Sequence, residues 1–576
     1  MTADLDALRD RWLAAWPQAL AAWGRTSRMH APVLHTEPCH MGSWAWYTTD
    51  DPEVHVDLTV VAERGIEDHA LAVLAHEVGH HLLAPVDRLT SLKIASRIKV
   101  GLVDMDHLVG LVDNLWCDLL INDRLQRQAG IDRAALAQTV GAAQADNPLG
   151  VLVGRTYEIL WGLPRGQLAA EGAAAEDHAM LCSRLVRAYA RDPVGGAAGF
   201  ARLVRTHIDP AWLRDPDNGA DVGGLACGGD HGGDDSIPFG LASDPTLGAP
   251  ATHPALDPRV VGTTDVPEAT PIELTPGGAG GAGNALQPAA LHALLTAMGS
   301  PTTAQQVAAA WYRERAAPHL VPFPVREGPT TSEQLLGGLD PWEVGDDLST
   351  IDWSGTMTAS PVVVPGMTTV QRAYLEDESV QERPRPVDLD LYLDSSGSMP
   401  DPSASYAPIA LAGAVLALSA LRAGARVQAT TWSGPGLTIG TDGFTRDVDA
   451  VLQAVVAHIG GGTSFPLALL ERTHLGNPPT ATGPTHVAVI SDSGVTTMFR
   501  PWSAEGETSS DVAARALESA GGGGSLVLQI PESYRHGIEA LAGDYDVYPV
   551  TTDDDLVTFA RDFSRATWGR QSRART

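Results

Sequence analysis

His76, Glu77 and His80 stand inside the segment LAVLAHEVGHHLLAP. On a helix, residues four apart lie one turn above each other, so both imidazoles can face one metal ion. Two histidines at that spacing with a glutamate between them suit a hydrolytic zinc site. Zinc polarises a carbonyl and lowers the pKa of water, while the glutamate takes the proton of the attacking water and returns it to the leaving amine. His81 points about a third of a turn away from His80 and reads as a solvent-facing or orienting residue.

A second set of donors lies far along the chain. DLDLYLDSSGSM supplies Asp394, Ser396 and Ser398, GGGTSF supplies Thr463, and VAVISDSG supplies Asp492. Carboxylates and hydroxyls are hard oxygen ligands, suited to an octahedral Mg2+ that keeps some water and one open position, with Mn2+ or Ca2+ as alternatives. The pattern predicts Asp394 and Asp492 at the carboxyl ends of parallel strands, where doubly wound sheets bind ligands.

The elements that must position the first set are a strand over Val54 to Val61 and a long apolar helix over Asp68 to Leu83. Gly79 inside that helix is costly unless something approaches closely there. A third metal ligand is needed, and the helix LVDNLWCDLLINDRL offers Asn114, Asp118 and Asn122 every four residues as a polar stripe on an apolar helix. Asp118 is the expected third ligand. The alternative is that its carboxylate orients a ligating imidazole through the ring N–H. His107, Asp113 and Glu158 are further candidates, and no residue type or spacing identifies an oxyanion donor. Cys227 and His231 could also reach the metal and silence the site, a thiolate being a good zinc ligand.

The 576 residues allow two to four domains, and 44% hydrophobic content gives each a core. The pattern is mainly helical through residues 1–210, the expected zincin-like domain. Gly, Asp, Pro, Ala and Thr dominate 211–286, which reads as a flexible linker. A helical and irregular connector follows over 287–380, with a helical pair near Ala289 to Ala317. From 381 to 576 strands alternate with helices: strands at 388–394, 426–433, 486–492, 525–530 and 546–550, helices at 408–423, 447–459 and 511–520, and a last helix from Asp553. That alternation predicts a doubly wound α/β domain, so the fold class is multidomain, helical then α/β.

With 39 Lys and Arg against 70 Asp and Glu, a net charge of −31 argues against a nucleic-acid partner. The first helix alternates charge with Leu, Trp and Ala instead of forming an apolar leader, and no long uncharged apolar run marks a membrane span. Cys39, Cys117, Cys182 and Cys227 show no framework spacing, which fits a reducing compartment, the cytoplasm being the simplest.

The residues Asp394, Ser396, Ser398, Thr463 and Asp492 resemble the metal-ion-dependent adhesion site of von Willebrand factor A domains. That resemblance implies direct contact of the first three with the ion, completion of the shell by the other two, and an open position filled by a partner's carboxylate. On HEVGHH, NLWCDLLIND, WYRERAAPHLVPFP and DSSGSM together, the chain resembles bacterial proteins that fuse a metallopeptidase-like domain to an A-type domain. Its linker is longer than is usual in them. Members of that group are often associated with MoxR-type AAA+ ATPases, which implies such an ATPase as partner. The expectation is therefore a zinc-dependent peptidase with Glu77 as general base, whose A-type domain recruits a protein. The alternatives are a non-catalytic adaptor and an accessory of metal-centre maturation.

Overall fold

The computed structural model describes residues 5–24, 29–39, 44–48, 53–141, 147–169, 175–208, 228–230, 237–262, 285–323, 325–326, 334–376, 385–500 and 508–550, together with Asp555, Phe559 and Phe563. Helix α1 (Leu5–Ala21) buries Leu8, Trp12, Trp16 and Ala19, an apolar stripe at three- and four-residue spacing. That stripe lies against α2 (Ala70–Leu82), the helix that carries His76 and His80. Above α2 sits a small sheet of β1 (Val33–His35), β2 (Ala45–Thr48), β3 (Val54–Asp57) and β4 (Gly228–Asp230), in the order β1-β3-β2-β4. β2 runs antiparallel to β3 and parallel to β4.

The strand expected to reach Val61 stops at Asp57. The Asp57 carboxylate accepts hydrogen bonds from the N–H groups of Thr59 and Val60 and so caps a short helix, Leu58–Glu63. Behind α2 lie α3 (Arg88–Leu102), α4 (Val109–Arg124), α5 (Pro148–Trp161), α6 (Glu176–Ala188) and α7 (Pro193–Arg205). Their apolar faces join one large core with α4 at its centre.

Residues 237–262, inside the stretch expected to be a flexible linker, are packed. The Arg97 guanidinium donates to the carbonyl oxygens of Thr246 (2.9 Å) and Leu247 (3.2 Å). Glu314 accepts from the backbone N–H of Gly240 (2.8 Å) and of Ser243 (2.6 Å). Buried charges that find backbone partners fix the path of a segment whose composition alone could not.

Helices α8 (Pro288–Ala297) and α9 (Ala304–Ala316) form the expected pair. A hairpin of β5 (Gln334–Pro341) and β6 (Val370–Glu376) follows. The second large unit is a six-stranded mixed sheet of β7 (Asp388–Asp394), β8 (Val427–Trp432), β9 (Thr438–Gly440), β10 (Thr485–Ser491), β11 (Gly521–Leu528) and β12 (Asp546–Pro549). Its order is β9-β8-β7-β10-β11-β12, with only β9 antiparallel to its neighbour. Helices α10 (Pro408–Arg422) and α11 (Val448–Val455) cover the face bearing Leu389, Leu391 and Leu393. Helices α12 (Leu467–Leu475), α13 (Ser509–Ala520) and α14 (Glu532–Ala542) cover the face bearing Tyr392, Val487 and Val489.

Strands β7, β8, β10, β11 and β12 and helices α10, α11 and α13 lie where the alternation placed them, with shifted ends. β9, α12 and α14 are additions. The helix expected from Asp553 falls mostly outside the described residues, of which Asp555, Phe559 and Phe563 are helical there.

Candidate metal centres

α2 is held at close quarters. Trp23 Nε1 donates to the carbonyl of Ala75 at 2.8 Å, and a Cβ on Gly79 would stand 2.5 Å from Ile121 Cγ2 and 2.7 Å from Trp23 Cζ2. The glycine therefore lets α1 and α4 approach α2 on the side where α4 brings Asp118. His76 Nε2 and His80 Nε2 lie 3.3 Å apart, and Asp118 Oδ1 lies 3.2 Å from the first and 3.3 Å from the second. Three ligands bound tetrahedrally at about 2.0 Å stand about 3.3 Å from one another, so the triangle matches one face of a tetrahedral site.

The outer nitrogens of both rings are occupied. His76 Nδ1 meets Asn122 Oδ1 at 2.8 Å, and His80 Nδ1 meets the Ala84 carbonyl at 3.0 Å. Both partners are acceptors, so each Nδ1 carries the proton and each Nε2 turns a lone pair inward. Asp118 Oδ1 is near both Nε2 atoms, yet among the described residues neither Asp118 oxygen makes a hydrogen bond of proper geometry. A buried carboxylate and two inward lone pairs in this arrangement call for a cation between them, and the donor set fits one. Asp118 stands where a third ligand could be, and Asn122, one turn later on α4, is the group that orients His76.

Burial is nearly complete: His76 is 1% exposed, Glu77 0%, His80 0% and Asp118 1%. Burial pushes the His76 imidazole down to about 4 in spite of Asp118 beside it. Burial would raise the Asp118 carboxyl, but His76 and His80 hold it below its ordinary value. Asp113, buried one turn earlier on α4, is pushed up to about 8 by burial and by Asp118. It is therefore an uncharged acid near neutral pH. His107 is exposed on a 3-10 turn. Glu158 accepts from the N–H of Leu168 (2.7 Å) and Ala169 (3.1 Å), and pairs with Arg155 at 2.8 Å, a structural role. His81 lies outside the triangle, its Nε2 3.4 Å from the Glu53 carbonyl. Cys227 and His231 lie outside the described residues.

Tyr47 escaped sequence reasoning. Its ring stacks on His80 with centroids 4.3 Å apart, and its phenol is held well above its ordinary pKa by burial first, and by the acidic groups around it, Asp118 and Glu77 among them. It stays protonated and can donate. Only the apposition of β2 and α2 reveals it, although the preceding tryptophans in GSWAWYT mark the segment as core. β2 is also paired along its outer edge by β4, with Trp46, Tyr47 and Thr48 opposite Gly228, Gly229 and Asp230.

The second group also assembles. At the carboxyl end of β7, Asp394 Oδ1 accepts from the Ser396 N–H at 2.8 Å and Asp394 Oδ2 from the Ser491 hydroxyl at 2.6 Å. The Ser396 and Ser398 hydroxyls are 3.2 Å apart, and Ser398 donates to Asp492 Oδ2 at 2.9 Å. A Cβ on Gly494 would meet Thr463 Cγ2 at 2.5 Å, Asp492 Oδ1 at 2.9 Å and Asp394 Oδ2 at 3.3 Å, so three of the five predicted residues converge around one glycine, and Ser396 and Ser398 join them through hydrogen bonds to Asp394 and Asp492. Burial, reinforced by the nearby Asp492, raises the Asp394 carboxyl above its ordinary value. Two facing carboxylates ringed by hydroxyls fit a hard divalent cation.

Neither family models nor curated proteins match this chain. Among the described residues no helix is long and apolar enough to cross a membrane.

Proposed function

We propose that the chain is a zinc-dependent peptidase joined to a von Willebrand A-type module that binds Mg2+ and recruits a protein. The observation that carries the first half is the triangle of His76, His80 and Asp118 with both imidazoles oriented from behind. Zinc held by these three would polarise a peptide carbonyl and lower the pKa of water. Glu77, on the turn between the two histidines, would accept the proton of the attacking water and pass it to the leaving amine. Tyr47, kept protonated, is the side chain suited to donate a hydrogen bond to the developing oxyanion.

The second half rests on the convergence of Asp394, Ser396, Ser398, Thr463 and Asp492 at the carboxyl edge of the sheet. By its resemblance the partner is a MoxR-type AAA+ ATPase or a substrate it delivers, in the cytoplasm. One observation favours a second reading. All four groups of the first centre are sealed from solvent, as suits a non-catalytic adaptor or a metal-centre maturation accessory.

Elemental analysis of wild type, His76→Ala and Glu77→Gln, with cleavage of unfolded casein alongside, separates the two. The peptidase reading expects one zinc per chain, lost in His76→Ala, and retained without cleavage in Glu77→Gln. A wild-type chain without zinc overturns it. Zinc without cleavage of casein, even when the A-type module is loaded and a MoxR-type ATPase is supplied, favours the adaptor.

A further inference from the structure

Between α9 and β7 the chain makes an excursion that neither metal centre uses. β5 and β6 pair with each other, the short helix Trp353–Ala359 packs on β6, and Trp342, Ile351, Thr356 and Thr369 are buried between them. Neither Trp342 nor Ile351 belongs to the three hydrophobic cores formed among the described residues. Residues 337–373 thus form a small lobe with an interior of its own.

Its exterior is unusual. Val344 is 77% exposed, Leu348 69%, Trp353 56%, Met357 59%, Val362 63% and Met367 83%. Nine of the twenty large apolar side chains exposed among the described residues fall within 337–373, and apolar side chains bared together in one short stretch mark an interaction site. The Val344 side chain lies against Gly366, which brings the loop bearing Val344 against the loop bearing Met367. Asp340, Glu343, Asp346 and Asp347 are exposed among these residues. Lysine is absent from 337–373 and Arg372 is its sole arginine, already paired with Asp352.

We propose that this lobe docks a protein partner whose contact surface sets apolar side chains among lysines and arginines. The acidic rim selects that occupant. A second copy of the chain would bring the same four carboxylates against these, and an anionic membrane surface would repel them. An apolar centre supplies affinity, and the charged rim supplies orientation and discrimination.

The test uses the full chain and two synthetic amphipathic helical peptides carrying the same leucine stripe, one flanked by lysines and one by glutamates. Fluorescence anisotropy measures both against wild type, Leu348→Asp/Met357→Asp and Glu343→Lys/Asp346→Lys. We expect the lysine peptide to bind at least about tenfold tighter than the glutamate peptide, and less tightly as salt rises. Leu348→Asp/Met357→Asp should abolish binding of both, and Glu343→Lys/Asp346→Lys should reverse the preference. Far-ultraviolet circular dichroism and an unchanged metal content show that these surface variants fold. Equal binding of the two peptides, or binding that survives Leu348→Asp/Met357→Asp, overturns the proposal. So does a homodimer in sedimentation that Leu348→Asp/Met357→Asp dissociates, or adsorption to zwitterionic vesicles lost in the same variant.

Discussion

Asn122→Leu is the sharpest perturbation of the first centre because it removes no proposed ligand. Asn122 Oδ1 accepts from His76 Nδ1 at 2.8 Å, and its Nδ2 donates to the Tyr157 hydroxyl at 2.8 Å, all buried. Leucine nearly preserves the volume but leaves the His76 N–H with no acceptor from this side chain. The ring loses what fixes its tautomer and plane, so Nε2 no longer carries a lone pair toward the centre in every molecule. Loss of such an orienting acceptor costs about 10- to 100-fold in metal affinity, roughly 1.4–2.7 kcal/mol. The buried N–H left without its acceptor adds about 1–3 kcal/mol of destabilisation. Competition titration against a chromophoric zinc chelator measures the first quantity, and urea unfolding of the metal-free chain the second. Asn122→Asp, which keeps an acceptor oxygen in place, should restore most of the affinity. Unchanged zinc affinity in Asn122→Leu would refute the reasoning, because His76 would then not bind metal through a ring oriented from α4.

Three further outcomes follow from the geometry. Gly79→Ala should destabilise the chain by about 1–3 kcal/mol in thermal denaturation: the helix-propensity gain of about 1 kcal/mol is outweighed by overpacking against Ile121 and Trp23. On the proposed function Mg2+ or Mn2+ should raise the melting temperature of the wild type, and Gly494→Ala should abolish that rise, since its methyl would sit where Thr463 and Asp492 converge. His207, whose Nε2 lies 2.8 Å from His178 Nδ1, has its pKa lowered by burial and then by His178. Its neutral form is favoured on folding, so the stability it contributes is present above the ordinary imidazole pKa and is lost as pH falls below it. The melting temperature should accordingly fall more steeply between about pH 7 and 5 in wild type than in His178→Gln.

The residues that announced themselves in sequence did so through periodicity. His76 and His80 share a helix face, and Asp118 stands in a polar stripe on a mainly apolar helix. Periodicity fails where a contact joins distant elements. Tyr47 meets His80 only because β2 lies across α2, and β4 joins β2 from far along the chain, Gly228 pairing with Trp46. Local chemistry can also override a pattern. VHVDLTVV alternates like a strand, yet Asp57 caps a helix in its middle. Four consecutive glycines open β11, where they carry no alternation to read; a Cβ on Gly522 would collide with the backbone of Thr485, so the strand needs what its sequence signal lacks.

The two candidate metal centres are physically joined, which bears on how one half could govern the other. After Met399 the loop that begins at the Ser396–Ser398 site runs to Ala407, and there its backbone meets α9. Tyr312, buried on α9, accepts from the Ala407 N–H at 2.7 Å and donates to the Ser405 carbonyl at 3.2 Å. α9 pairs with α8, α8 contacts α3, and all three belong to the core that includes Leu115 and Leu119 on either side of Asp118. A cation at Asp394 that shifts this loop must therefore move Tyr312 or break its hydrogen bonds, each worth about 1 kcal/mol. Saturating Mg2+ should change the zinc affinity of the wild type by several-fold, the size of a coupling of about 1–2 kcal/mol. Tyr312→Phe, which removes only the hydroxyl, should bring that ratio toward one while leaving Mg2+ binding itself intact. Reciprocity requires zinc to change Mg2+ affinity by the same factor, a second readout independent of cleavage. A wild-type ratio of one, or the same ratio in Tyr312→Phe, would mean that the shared core holds the halves together without transmitting occupancy between them.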